Sequence, residues 1–584
     1  MVFVKVCIVD CYSDEPAGLG VPPYLGTTPR YVFGAALLAG SEPYYVNIDD
    51  MRAFWHECYD AINLTRNPQE TGRVFERADL VVVLGGVHTP GKYLRANPGV
   101  PKEMRRIVQH SRAPVYVGGP VAEGTMGGGR SLRSDRESLG DPTGVIEGDP
   151  EAFIYDLLSG RAEPGAARYR CYEELDRFAS AGAALLSQIG ARPDLVCEVE
   201  TSRGCARAVV GGCSFCSECS RFGLPQFREA SGIVSEIRRL RSFGARNVRL
   251  GRQSCFFSYQ AAGIGDLEVP VPNPAAIEAL LSACSKLGLN SLHIDNVNPG
   301  VLAKHPTESE RIARSIARHC TPGNVAALGM ETADPEVVKR NNLKALPEDC
   351  LLAVELICRR GAEIGWNGQP LFLPGINFVL GLPGETEETY AMNLAFLRTI
   401  KERGLLLRRV NIRKVIPVPG TPLWGAKWRQ TAMRRKAKGF VDRVRSEIDR
   451  PMLEKVYPRG TVLKGLVAEV QKGRTAFCRF PGSYPIVVGV EDRPEPREVL
   501  DAIVVGHGSR SLTALRFPVD INACHPRILA SLPEVGAKRA ARIALCRPIR
   551  SRQDVERALG PDAPSREAVD LICKAAKLRD YDRV

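Results

Sequence analysis

The chain has 584 residues, 44% hydrophobic and 25% charged, with a formal net charge of +13. That length predicts about three to four domains, each large enough for an apolar core. The 18 cysteines are too dilute for a small disulfide scaffold. No apolar run reaches the roughly eighteen residues of a membrane span, so neither a transmembrane helix nor a membrane partner is expected. The opening MVFVKVCIVDCYSDEPAG turns acidic too early for a signal peptide, reads as a first strand, and leaves a cytoplasmic location as the expectation. The positive excess points equally to a polyanionic partner and to an Arg-rich surface of solvated ion pairs.

Residues 1–165 alternate apolar runs with helical stretches. FVKVCIVD, ADLVVVLGG and APVYVGG end in turn residues, as buried parallel strands do, and PKEMRRIVQHSR reads as a helix. The pattern is α/β and doubly wound, with glycine corners at Gly85-Gly86-Val87-His88 and Gly118-Gly119-Pro120. These corners serve either a ligand at the strand ends or simple tight turns, and 124–142 reads as a glycine-rich loop.

Residues 190–455 repeat the alternation. LVCEVETS, NVRLGRQS, SLHIDNV, AALGMET, GINFVLGLPG and RRVNIRKVIPVPG are strand candidates, with ASGIVSEIRRLRSFG and NPAAIEALLSACSKLG among the intervening helices. Six such units fit a partial or full α/β barrel, whose chemistry gathers at the carboxyl ends of the strands. Residues 456–517 shorten into strands with turns, predicting a small β-barrel, and 518–584 read as short helices.

Cys205, Cys213 and Cys216 lie within ETSRGCARAVVGGCSFCSECSRFG, spaced by seven and then two residues. A structural zinc site usually closes with four ligands, and Cys219 is a nearby fourth thiol. Three thiolates on a four-iron cluster instead leave one iron open for a small molecule. The pattern resembles the radical S-adenosylmethionine (SAM) superfamily, whose usual motif is CxxxCxxC with an aromatic before the last cysteine. Phe215 keeps the aromatic; the seven-residue first gap is a departure that lengthens the loop but keeps three thiolates. ETSRGC (200–205), LGMETADPEVVKRNN (328–342), GLPGET (381–386) and VPGTPLW (418–424) follow in the order of that superfamily. They resemble the branch of methylthiotransferases, Elongator-type enzymes and cobalamin-dependent radical enzymes.

The resemblance implies a [4Fe-4S] cluster on Cys205, Cys213 and Cys216. It implies SAM held by Phe215, Gly251, Arg252, Gln253, Glu331, Asn377, Gly381, Gly384 and Pro417, with Glu331 at the ribose or amino group. It implies reductive cleavage of SAM to methionine and a 5′-deoxyadenosyl radical, supplied with electrons by a donor such as ferredoxin or flavodoxin. Structural roles stand beside these: Glu331 is alternatively an ion-pair partner, and His293, Asp295 and Asn296 either face the substrate or satisfy a turn.

The first domain resembles a cobalamin-binding domain through LGVPPYLG (19–26) and VVLGGVHTP (82–90), although the DxHxxG lower-ligand signature is absent. Cobalamin therefore stands as a third candidate cofactor, beside a vestigial domain and a second cluster on Cys7, Cys11 and Cys58, of which Cys7 reads as core. Residues 456–517 weakly resemble the TRAM RNA-binding domain. LASLPEVGAKRAARIALCRPIRSRQDV resembles a helix-hairpin-helix with Glu534 in place of its first turn glycine. That resemblance implies nucleic-acid contacts at Gly536, Lys538, Arg539 and Arg542; a domain-docking role is the alternative. The whole order resembles archaeal radical SAM proteins with a C-terminal helix-hairpin-helix. Three functions follow as expectations: a radical SAM enzyme modifying RNA, tRNA foremost; a cobalamin-dependent radical methyltransferase acting on a protein or small metabolite; and a non-catalytic iron–sulfur protein that binds nucleic acid.

Overall fold

The computed structural model describes residues 3–12, 24–57, 63–86, 98–123, 136–162, 165–190, 192–427, 434–560 and 564–578. Cys58, His88, the first part of 19–26, the end of 82–90 and most of 124–142 lie outside them.

The first third contains β1 (Lys5–Asp10), β2 (Tyr24–Leu25), β3 (Glu42–Asn47), β4 (Leu80–Leu84), β5 (Val115–Gly118) and β6 (Gly144–Val145). Five of them make a parallel sheet in the order β3-β1-β4-β5-β6. This is the second-first-third-fourth-fifth order of a doubly wound sheet, whose ligands sit beyond the carboxyl edge. β1 and β4 are buried on both faces because helices cover both, so they read as unbroken apolar runs. β3, EPYYVN, carries no such run and is not singled out by its sequence. Cys7 and Cys11 are both fully buried in the apolar core.

β2 leaves this sheet and pairs in parallel with β7 (Val196–Glu200), joining the second unit. There β8 (Ser202–Arg203) and β9 (Gln226–Phe227) form a small antiparallel pair. The larger strands are β10 (Asn247–Gly251), β11 (Ser291–His293), β12 (Asn296–Val297), β13 (Asn324–Glu331), β14 (Phe372–Leu380) and β15 (Arg409–Lys414). They form two parallel sheets, β11-β10-β7-β2 and β12-β13-β14-β15. Every strand candidate of 190–455 falls on one of these elements. SLHIDNV supplies both β11 and β12, with the break at Ile294–Asp295.

The two units are locked by close packing and buried charge. The helix Thr27–Leu38 crosses the helix Tyr172–Gly182 at two glycines. A Cβ on Gly34 would fall 1.9 Å from the Phe178 carbonyl oxygen, and one on Gly182 would fall 2.0 Å from that of Arg30. Beside this crossing, Glu236 receives Arg30 and Arg228, each at 2.5 Å, with all three side chains fully buried.

A closed five-stranded barrel follows, ordered β16-β17-β18-β20-β19: β16 (Val462–Lys472), β17 (Thr475–Arg479), β18 (Val487–Glu491), β19 (Val499–His507) and β20 (Ser511–Arg516). Helices Pro526–Ala530, Gly536–Leu545, Arg552–Leu559 and Arg566–Ala575 share an apolar core with Ile503, Val505 and Leu515 of that barrel. Among the described residues, no helix is long and apolar enough to cross a membrane.

Candidate functional site

A cavity of about 380 Å³ opens at the carboxyl ends of the parallel strands. Cys205, Cys213, Cys216 and Cys219 line it, as do Phe215, Arg252, Gln253, Glu331 and Asn377. The local sequence explains how the cysteine loop is held. Residues Ala206–Val210 form a 3₁₀ turn that ends at Gly211 and Gly212, both in the left-handed region. Asn342 donates to the carbonyls of Val210 at 2.8 Å and Gly212 at 2.7 Å, and Ser214 donates to Asn341 at 2.9 Å. Arg207, almost fully buried, pairs with Glu268 and donates to the Asn342 carbonyl. The paired asparagines of VVKRNN thus fasten a loop four residues longer than the usual CxxxC spacing. The Leu423 N–H donates to Ser214 O at 3.0 Å, so VPGTPLW also docks on the CSFC turn.

ETSRGC has a mainly anchoring role. Glu200 accepts from Arg170 at 2.7 and 2.8 Å, Arg203 donates to Asp149 at 2.6 Å, and Thr201 binds Gln253 at 3.3 Å. Arg170 and Asp149 belong to the chain leading out of the first sheet. The segment therefore fixes that sheet's carboxyl side against the mouth of the barrel. A second cleft, about 30 Å³ and thus water-sized, lies at this seam between Gly119-Pro120, Asp149, Glu200 and Arg252.

Two non-glycine residues at strand exits have positive φ: Arg252 at 64° and Glu331 at 69°. Such backbone is strained in residues bearing a Cβ and gathers at ligand sites. At Glu331 it coincides with a shift of register between Gly329 and Glu331. The carboxylate lies 3.5 Å from Lys344 Nζ. Burial pushes the Glu331 carboxyl up, and Lys344 opposes that shift. Gly329 leaves room for the pair: a Cβ there would come 2.1 Å from Lys344 Nζ and 2.6 Å from Glu331 Oε1.

Burial pushes the Cys213 thiol up and the Cys216 thiol up to about 12, while Lys344 acts in the opposite sense on Cys213. Cys205 is pushed down to about 6, first because Cys219 hydrogen-bonds to it. Among the described residues, no three His, Cys, Asp or Glu side chains converge closely enough to hold one metal ion. A four-iron cluster spreads its thiolates over separate irons. Three cysteines on one cavity wall, faced by a lysine, match that wider donor set.

The other sequence candidates divide. Asp295 and Asn296 line the cavity, but His293 does not. Its Nδ1 accepts from Ser483 N–H at 2.9 Å and its Nε2 meets Thr321 O at 3.1 Å. These partners assign a neutral Nε2–H tautomer, and burial pushes the ring down to about 4. Gly251, Gly381, Gly384 and Pro417 lie outside the cavity wall. A Cβ on Gly251 would strike Glu198. Gly381 N–H donates to Glu385 at 2.8 Å, so GLPGET wraps its own glutamate. Lys344 and Tyr484 line the cavity without any sequence signal, because neither belongs to a recognisable motif, and Arg413 lies on the RRVNIRKVIPVPG strand without being singled out by it.

At the C-terminal hairpin, Glu534 has φ of 61° and accepts from Ser565 N–H at 2.8 Å and Oγ at 2.9 Å. Arg539 donates to Glu534 O at 2.6 Å and Arg542 to Leu559 O at 3.0 Å. Gly536 and Lys538 are exposed.

No protein-family model matches the chain. Among solved structures it is similar to the radical S-adenosylmethionine methyltransferase TsrM from Kitasatospora setae, at 15% identity, covering 80% of this chain and 79% of that one, with a TM-score of 0.46. An uncharacterized protein of Methanocaldococcus jannaschii is 41% identical over 523 residues, 88% of this chain and 93% of that protein. One from Archaeoglobus fulgidus is 38% identical over 566 residues, 96% and 98% respectively. At that identity and near-complete mutual coverage, the chain belongs to the archaeal protein family that these two relatives represent.

Proposed function

We propose that this protein is a radical SAM enzyme whose cluster is held by Cys205, Cys213 and Cys216. The observation that carries the reading is their convergence on one cavity with the Glu331–Lys344 pair, at the carboxyl ends of the strands of the two parallel sheets. When bound, the cluster supplies the electron that splits SAM into methionine and a 5′-deoxyadenosyl radical, which takes hydrogen from substrate. The chain's own part is to bind, orient and exclude water. Glu331, aimed into the cavity by its strained backbone, offers a carboxylate to the ribose or amino group of SAM. Lys344 neutralises that carboxylate while SAM is absent. Asn341 and Asn342 hold the cysteine loop in one shape, so little ordering remains when the site fills.

RNA is the first substrate class, supported by the net charge of +13 and by a small β-barrel with helices appended after the catalytic unit. Corrinoid-dependent group transfer is the second reading, favoured by the first sheet, whose strand order and carboxyl edge face the barrel mouth at Arg252. A corrinoid would lie against that carboxyl edge, where Gly119, Pro120 and Arg252 line the described part of the cleft.

The test is anaerobic reconstitution with iron and sulfide, then SAM and dithionite, with 5′-deoxyadenosine read by mass spectrometry. Formation of 5′-deoxyadenosine supports the enzymatic reading, and a loaded cluster without it would overturn that reading. Nucleosides from tRNA of a deletion strain, compared with its parent, separate the substrate classes. A modified nucleoside missing from the deletion supports RNA. Unchanged nucleosides together with cobalamin retained on reconstitution support the corrinoid reading.

Lys344→Met removes the cation facing the three thiolates. The cluster's reduction potential is expected to move to more negative values in a spectroelectrochemical titration, because net charge around a cluster sets its potential. An unchanged potential would place Lys344 outside the cluster's field.

A further inference from the structure

The floor of the cavity comes from a different part of the chain. The turn Phe480–Tyr484 leaves β17 of the C-terminal barrel and enters the underside of the α/β barrel. Tyr484, 5% exposed, lines the same cavity as the cysteines. Its hydroxyl donates to Asp295 Oδ1 at 2.7 Å. Its ring lies beneath two guanidiniums, Arg409 at 4.5 Å and Arg249 at 5.6 Å from the centroid. Ser483 N–H donates to His293, and Arg408 donates to the Tyr484 carbonyl at 3.0 Å. Asp295 is spent on Tyr484 and Arg249. Arg249, 2% exposed and also on the cavity wall, keeps Nε and Nη1 without a hydrogen-bond partner. Its Nη1 lies 3.8 Å from Glu198, beyond hydrogen-bond reach. A buried donor left unmatched is costly and therefore rare; both donors are inaccessible to water, and they belong to a residue that lines the cavity.

We propose that the Phe480–Tyr484 turn is the floor of the reaction cavity, and that Tyr484 and Arg249 position the substrate there through an oxygen acceptor, a carbonyl or carboxylate group. On this view the C-terminal barrel is a part of the active site, not an appended module. The aromatic ring sets the depth of the cavity, and the guanidinium fork reads the acceptor. Asp295 fixes both in orientation. The inference rests on the enzymatic reading above.

The experiment uses reconstituted full-length protein, SAM and dithionite, with and without extract from a strain deleted for the gene. Extract supplies the substrate whatever its identity, and each variant is compared with its own rate without extract. For wild type, extract is expected to raise 5′-deoxyadenosine formation. In Tyr484→Ala that increment should fall at least about tenfold relative to the variant's own background. Tyr484→Phe keeps the ring and should retain most of the increment, with a raised apparent KM for extract. Arg249→Lys, which keeps charge but loses the fork, should raise KM more than it lowers the maximal rate. Equal increments in wild type, Tyr484→Ala and Arg249→Lys would overturn the inference and leave the enzymatic reading intact. Background cleavage in wild type with no increment from any extract fraction would overturn the inference too. Absence of both cleavage and increment in wild type would overturn the enzymatic reading itself. Should Tyr484→Ala fail to fold, Tyr484→Phe and Arg249→Lys decide.

Discussion

Cys213→Ala is expected to lower SAM-dependent 5′-deoxyadenosine formation by at least about a thousandfold, some 4 kcal/mol of barrier. The physical reason is ligand count. Three thiolates hold three irons and leave the fourth for SAM; with two, the cluster has no stable anchorage. Cys213 is 9% exposed and lies beside the Ser214 and Asn341 anchors, so the loop is expected to keep its shape when only the sulfur is removed. The same variant should lose most of its iron and its visible absorbance, read on the reconstituted protein. Cys216→Ala should behave alike, whereas Cys219→Ala should retain the cluster. Full activity in both Cys213→Ala and Cys216→Ala would overturn the cluster assignment.

Glu236→Ala should be the most destabilising single change between the first two units, by about 3–5 kcal/mol. The carboxylate pairs with both Arg30 and Arg228, all three side chains are fully buried, and Asp176 gives Arg228 a second partner. Removing it leaves two guanidiniums in the interior without their shared counter-charge. Glu236→Gln keeps the shape and should cost less, though the charge is still lost. Denaturant titration of the protein checks both. A change under 1 kcal/mol in Glu236→Ala would mean that water reaches the arginines (about the size expected of an exposed pair). Because Arg30 sits on the helix that crosses Tyr172–Gly182, the same variant should loosen the carboxyl edge of the first sheet over the barrel mouth.

The strands of the α/β barrel were legible because parallel strands covered on both faces read as unbroken apolar runs ending in turns. The β-barrel of 456–517 was legible through its short runs and glycine turns. β2 and β6, of two residues each, were not, because they are too short to carry a pattern. GLPGET marks a turn in both the sequence and the structure. Only the structure shows that Gly381 closes on Glu385 and that neither Gly381 nor Gly384 lines the cavity.

The sequence by itself determined which chemistry to look for: the thiol spacing, the glycine turns and the order of motifs are local and survive without coordinates. What only the tertiary structure decided is which distant residues face them. Tyr484 meets Asp295 across 189 positions, and Asn342 meets Val210 across 132. Lys344 has no motif of its own, yet it is the cation beside Glu331. Such contacts are set by how packed elements cross, and a chain's local pattern fixes the elements but not their crossings. Tyr484 therefore reaches the cavity only through the way the 462–516 barrel packs against the parallel sheets.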